Sequence, residues 1–322
     1  MSLRARAVAY EKMMNKFQVL SLRKQVVPPR TSAAEQRRAN LRGGVWMVLA
    51  MAAFALEDTF VKRAAASMPV SQVLALLGLG GMAVFWCLAR TGGGVLVPQV
   101  LSPVMGLRAL FEITGRLFFV LALALTPLST TTVILQATPL VVVAAAALLF
   151  GERVGWRRWL AVLVGLGGVL VIVQPWSDGF SPLAILALIG MLGFAGRDLT
   201  SRMAPAGLGA PVLGFYGYLA VVVAALPVAG YTRAAWSWAD QGAILAMLAA
   251  VAAGTSAYTC LMKAMRTGDV SAVTPLRYSR LLFGIALGVL FFGEALQPST
   301  LVGAGLIVIS GLFTLWRAPA RR

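Results

Sequence analysis

Nine ionisable residues lie inside long apolar stretches of this 322-residue sequence: Glu57, Asp58, Arg108, Glu112, Arg116, Arg197, Asp198, Arg277 and Arg280. A charge at the centre of an apolar helix costs about 2.5 to 3.5 kcal/mol, so such residues face inward and pair, or serve a ligand. Arg108, Glu112 and Arg116 are spaced i, i+4, i+8, which places them on one helix face as an alternating ladder. Arg277 and Arg280 are three apart and have no acid on their own segment. Their partner is an acid on another helix, Glu112 or Asp58, or else an anionic ligand group, because a guanidinium offers paired donors that suit a carboxylate or phosphate. At a rise of about 1.5 Å per residue, Glu112, Arg116 and Arg280 fall near the middle of a hydrocarbon core about 30 Å thick. Arg108, Arg197 and Asp198 fall nearer one end, within snorkelling reach of water, and Glu57 and Asp58 fall in the opposite half. Arg280 is the favoured ligand contact, with Arg116, Glu112, Arg277, Gln136 and Tyr258 as the other candidates; Gln136 and Tyr258 belong to runs of neutral polar residues that also bond helices together.

Other chemistries are excluded by residue type. Histidine is absent, and the two cysteines, Cys87 and Cys260, stand alone in apolar runs, where they read as small buried hydrophobes. No zinc cluster or Ser-His-Asp triad can be assembled, and no metal or cofactor is expected. A lipid-modifying membrane enzyme would need a nucleophile or metal cluster near the headgroups, and the sparse loop acids do not provide one.

The elements that must position these charges follow from composition. Apolar side chains make up 59% and charged ones 12%, against roughly a quarter charged in soluble domains. Ten apolar runs near the length that spans a bilayer cover about 43–61, 70–89, 103–125, 127–150, 159–173, 181–199, 212–230, 241–262, 270–292 and 300–316. The alternating polarity of a β-barrel is missing, so an all-α integral membrane protein of ten transmembrane helices is predicted. Pro139 and Pro275 are expected to interrupt the fourth and ninth spans.

The net charge of +17 is explained by placement. Ten of the 28 Lys and Arg precede Gly43, in a tail 1–42 read as a disordered cytoplasmic arm facing lipid headgroups. With the N-terminus inside, the inner loops and the C-terminus, 317–322, hold ten more and the outer side holds only Lys62, Arg63 and Arg233. Both termini are therefore expected in the cytoplasm. Nucleic acid is not expected as a partner; the bilayer is.

Internal repetition adds a constraint. Leu148-Leu149-Phe150-Gly151-Glu152 and Leu290-Phe291-Phe292-Gly293-Glu294 end the fourth and ninth spans, 142 residues apart. Phe54, Asp58 and Lys62 of the first span match Phe194, Asp198 and Arg202 of the sixth at an offset of 140. A duplicated five-helix unit follows, over 43–174 and 181–316, and an odd number of helices forces the second copy to insert upside down. Inverted repeats of this kind build alternating-access carriers, with the site near the midplane between the copies.

The helix-terminal Phe-Gly-Glu of each copy, the stretch Thr132-Val133-Ile134-Leu135-Gln136-Ala137-Thr138-Pro139-Leu140, the run Gly151-Glu152-Arg153-Val154-Gly155-Trp156-Arg157-Arg158 and Arg197-Asp198-Leu199-Thr200-Ser201-Arg202 together resemble the drug/metabolite transporter superfamily, specifically its EamA-type ten-helix members. The resemblance covers about 41–316. It implies an inner-membrane secondary transporter, not an enzyme, that moves a small metabolite (amino-acid-like, vitamin or organic anion) through a cavity between the repeats. A non-transporting membrane scaffold is the alternative, with the lipid-modifying enzyme behind it. No nucleotide-binding Gly-Lys loop is present, so the chain does not hydrolyse ATP, and a proton or counter-substrate gradient is the remaining energy source. Glu112, Asp58, Glu57 and Asp198 are the candidate proton carriers, on which burial and neighbouring arginines act in opposite senses.

Overall fold

A computed structural model describes residues 33–90, 94–150, 155–176, 181–203, 205, 208–236, 240–267 and 273–316. Within them the chain is helical: α1 (Ala33–Ala65), α2 (Val70–Arg90), α3 (Pro103–Leu125), α4 (Leu128–Leu135), α5 (Thr138–Phe150), α6 (Trp156–Val173), α7 (Ala184–Met203), α8 (Ala210–Thr232), α9 (Gln241–Thr267), α10 (Ser279–Phe292) and α11 (Pro298–Trp316). A 3-10 turn, Thr274–Tyr278, leads into α10. Two helix pairs form single crossings: α4 with α5 is the fourth span, and the 3-10 turn with α10 is the ninth. Seven segments are long and apolar enough to span by themselves, and two shorter apolar helices are the fifth and tenth spans. The remaining one is α3, which has the length but carries Arg108, Glu112 and Arg116.

The boundaries follow local chemistry. Ser102 caps α3 by accepting from the Met105 N–H at 3.4 Å, with Pro103 at the first helical position. Gln174, Arg233 and Gly293 end α6, α8 and α10 in the left-handed conformation that closes a helix C-terminus. One expectation is corrected. The first helix begins at Ala33, not at Gly43, because Ala33 to Arg42 are mostly Ala, Glu, Gln, Arg and Leu, all good helix formers that simply prolong the span into water. The rest of the basic arm, the Gly151-Glu152 pair and 317–322 lie outside the described residues.

Apolar side chains cover the outside as well as the inside. Leu282, Leu290 and Ile309 are 68%, 77% and 69% exposed, which is stable only against lipid tails. Cys87 is likewise exposed rather than buried, and both cysteines are free thiols.

The two repeats interlock. The largest contacts are α1 with α9, α2 with α8, α3 with α7, and α6 with α11, and α4 packs on α10. By span these pairings are 1 with 8, 2 with 7, 3 with 6, 5 with 10 and 4 with 9. Every one joins the first repeat to the second, and exchanging the repeats returns the same set. Glycine makes the third and sixth spans cross closely: a side chain on Gly193 would collide with the Gly115 backbone, and one on Gly190 would lie 3.0 Å from the Phe119 nitrogen. That crossing sets Glu112 and Arg116 of α3 beside Arg197 of α7.

Candidate functional site

The nine charges, of which Glu57, Asp58, Arg108 and Glu112 are buried, separate into two groups. In the first, Arg116 of α3 donates to Glu57 of α1 at 3.0 Å, and Arg280 of α10 donates to Asp58 at 2.6 Å. Glu57 and Asp58 are each 1% exposed. Two arginines meet two acids, so the group is neutral. Arg280 also lies over Phe54 and Phe119, with its guanidinium carbon 5.1 and 5.8 Å from the ring centroids.

The second group joins α3, α7 and the 3-10 turn. Glu112 Oε2 lies 3.7 Å from Arg108, and its Oε1 lies 3.4 Å from Arg197. Asp198 Oδ1 accepts from Arg197 at 2.8 and 3.1 Å, and its Oδ2 lies 3.8 Å from Arg277. Arg197 stacks over Phe194 at 4.8 Å. Three arginines face two acids, a surplus of one positive charge among the described residues.

Several sequence expectations change here. The ladder on α3 is only half made: Arg108 meets Glu112, but Arg116 turns to Glu57 on another helix because that acid is closer and otherwise unpaired. Arg108 does not snorkel; it is 5% exposed and donates from Nε to Ser201 Oγ at 2.9 Å. Arg277, in the 3-10 turn, and Arg280, in the first turn of α10, reach different acids. Arg280 reaches the first repeat's Asp58, the acid on another helix that satisfies it structurally, and Arg277 reaches Asp198. Gln136 is drawn into the same region by backbone rather than by charge. It sits at the break between α4 and α5, and its Nε2 donates at 2.9 Å to the Arg277 carbonyl at the break in the ninth span. At the 142-residue offset Gln136 corresponds to Tyr278, so the two broken spans are interrupted at equivalent places although their prolines are not. Tyr258 packs edge-on against Phe85 at 5.3 Å beside a groove lined by Thr259, Met262 and Lys263.

Sequence reasoning missed the opposite end of the bundle. Gly293, at φ 61°, turns the chain so that Glu294 folds back onto the start of α4. Its carboxylate accepts from the N–H groups of Leu128 at 2.6 Å and Ser129 at 2.9 Å, and from the Ser129 hydroxyl at 2.7 Å. Gly288 leaves room for it, since a Cβ there would lie 2.6 Å from Oε2. Nearby, Lys62 Nζ donates to the carbonyls of Leu123 at 3.1 Å and Thr126 at 2.5 Å, and lies 5.4 Å from the centre of the Phe292 ring. The first, third, fourth and ninth spans are thus tied together at the end remote from Ala33. The repeated Phe-Gly-Glu was a visible signal for Glu294; its receptor on the fourth span was not.

Inverted five-helix repeats, interrupted spans that meet, and ionised side chains confined to the seam between the repeats define a membrane transport protein rather than an enzyme. The EamA-like transporter family matches residues 41–174 and again 181–316, and the chain belongs to that family. It is 28% identical over 290 residues to a riboflavin transporter of Rhizobium johnstonii, covering 88% of this chain and 94% of that one. It is 25% identical over 210 residues to an S-adenosylmethionine uptake transporter of Rickettsia conorii, covering 65% and 70% of the two chains. A pseudopaline exporter of Pseudomonas aeruginosa is 25% identical over 272 residues, covering 84% and 95%. The fold matches a crystal structure with a TM-score of 0.58 and 20% identity, over 88% of this chain and 99% of that one.

Proposed function

We propose that the protein is a secondary carrier of the bacterial inner membrane, with both termini in the cytoplasm, that moves a small metabolite by alternating access between its two repeats. The observation that carries this reading is the asymmetry of the seam. At the far end, assigned to the outside, Glu294 and Lys62 close the spans on one another. At the end nearer the termini, the side chains of Arg197, Asp198 and Arg277 keep 24%, 24% and 31% of their exposure, while Glu57 and Asp58 keep 1% and 2%. Such a gradient is that of a carrier resting open toward the cytoplasm. The excess of Lys and Arg on that side supports this orientation.

In this reading Arg280, Arg116, Glu112, Arg277, Gln136 and Tyr258 line the route of the cargo, and Glu112, Asp58, Glu57 and Asp198 are the groups through which a proton or a counter-substrate couples to it. Each of these acids lies within 4.0 Å of an arginine, so loss of an acid's charge frees a guanidinium and changes how the spans hold together. The test is counterflow in proteoliposomes, with riboflavin, S-adenosylmethionine, amino acids and organic anions as the panel, with and without a proton gradient. Saturable exchange of at least one solute is expected. Absence of saturable flux for the whole panel overturns the reading.

A further inference from the structure

Within the carrier reading, on which this inference rests, the two charge groups are not equivalent. The group around Asp58 and Glu57 is neutral, deeply buried and held by contacts of 2.6 and 3.0 Å. The group around Asp198 has one arginine too many, is partly open, and contains one loosely held guanidinium. Arg277 is the most exposed of the five seam arginines at 31%, and its acid contact among the described residues is Asp198 at 3.8 Å, beyond hydrogen-bonding distance. Its backbone, in contrast, is fixed: the carbonyl is held by Gln136 at 2.9 Å. A guanidinium on an anchored backbone, with its paired donors uncommitted, lies beside a second guanidinium, that of Arg197, which brackets the other oxygen of the same carboxylate.

We propose that Arg277 and Arg197 form the anion subsite of the carrier, where a carboxylate or phosphate group of the cargo docks on the donor face of Arg277 that Asp198 leaves free. Arg277 and Arg197 touch the cargo; Gln136 is a positioning residue that holds Arg277. Asp198 is the built-in competitor: it neutralises the site when empty, and the incoming anion shares or replaces it. The neutral pairs of Asp58 with Arg280 and Glu57 with Arg116 lie deeper in the seam, toward the far end, so the anion stops at the second group and does not need to enter the first. This assigns the ligand charge to Arg277 instead of Arg280, whose Nη2 is held by Asp58 at 2.6 Å.

The test uses the full chain in phosphatidylcholine nanodiscs, with succinate and inorganic phosphate as probes, sodium chloride as the ionic-strength control and choline as the cationic control. A ligand of the folded state raises the melting temperature in a saturable way. Expected is such a rise with at least one of the two anions beyond that given by chloride. Arg277→Gln shifts the half-saturating concentration upward by about tenfold or more, as loss of a charge-assisted contact does. Asp198→Asn, which removes the competitor, shifts it downward. A response of Arg277→Gln equal to that of the unaltered protein, a weaker response of Asp198→Asn, or no response beyond chloride with either anion overturns the proposal. Repeating the titration in nanodiscs containing phosphatidylglycerol distinguishes a solute from a lipid headgroup: an unchanged half-saturation supports a solute, and loss of the response because lipid already fills the site overturns a cargo role. Counterflow keeps the two readings apart. Flux that is unaffected by Arg277→Gln removes this subsite and leaves the carrier; anion binding that depends on Arg277 in a protein with no flux removes the carrier and leaves the site.

Discussion

At the scale of single residues, the paired charges are held by mutual need. Asp58 and Arg280 lie 2.6 Å apart with 2% and 14% side-chain exposure, and neither finds water if the other is lost. Breaking a buried pair by removing one partner typically costs about 3 to 5 kcal/mol, more than the pair itself contributes. Asp58→Asn and Arg280→Gln are each expected to lower thermal stability in detergent strongly, and the double variant to lose less than the sum of the two. Additive losses in a double-mutant cycle would refute the coupling. Glu294 is a different case, because its carboxylate serves backbone donors. Glu294→Ala leaves the N–H groups of Leu128 and Ser129 without their acceptor. An expected cost of about 1 to 3 kcal/mol follows, read as a lower melting temperature. The sequence showed that these residues were costly and so had to be used; it could not show which acid each arginine would choose, and of the acids open to Arg280 the fold sets Asp58 beside it.

At the scale of elements, the seam depends on how closely helices approach. Gly193 faces Gly115 where α7 crosses α3, and a methyl group there would strike main chain that has no rotamer to move. Gly193→Ala is expected to separate the two helices and cost about 1 to 3 kcal/mol, with loss of folded protein from the membrane. Gly167, on α6, meets nothing within 4 Å, so Gly167→Ala is expected to be neutral or to stabilise slightly, by up to about 1 kcal/mol. Size-exclusion profiles and melting curves of the two variants, side by side, check this; equal behaviour would mean that the crossing is not a tight one. The positions of the spans were legible from apolar length alone, and the second and third agree with the structure within a residue. The start of α1 was not, because hydropathy marks where lipid begins and not where helical hydrogen bonding begins.

At the scale of the whole molecule, the seal at the far end makes a statement about motion. If Glu294 and Lys62 hold the far ends of the first, third, fourth and ninth spans together, weakening them should open the seam at that end. In a background of Cys87→Ser and Cys260→Ser, Ser129→Cys is expected to react slowly with a membrane-impermeant maleimide, since Ser129 is 3% exposed. Adding Glu294→Gln is expected to speed that labelling severalfold. Equal labelling rates in the two proteins would show that this end opens independently of Glu294.

The sequence by itself determined the ten spans, the duplication and its inversion, and the confinement of nine charges to the membrane interior, because each of these follows from local composition or from a repeated pattern read along the chain. Only the tertiary structure decided that the repeats interlock with every large contact running between them, that Glu294 meets the fourth span, and that the surplus charge among the described residues falls in the group of Arg108, Arg197 and Arg277. The reason is distance along the chain: Arg116 and Glu57 are 59 residues apart, Glu294 and Ser129 are 165 apart, and Arg280 and Asp58 are 222 apart. Choosing among several partners of equal chemistry at such separations is a matter of geometry, set by which helices the glycines allow to approach and where the two broken spans turn their side chains.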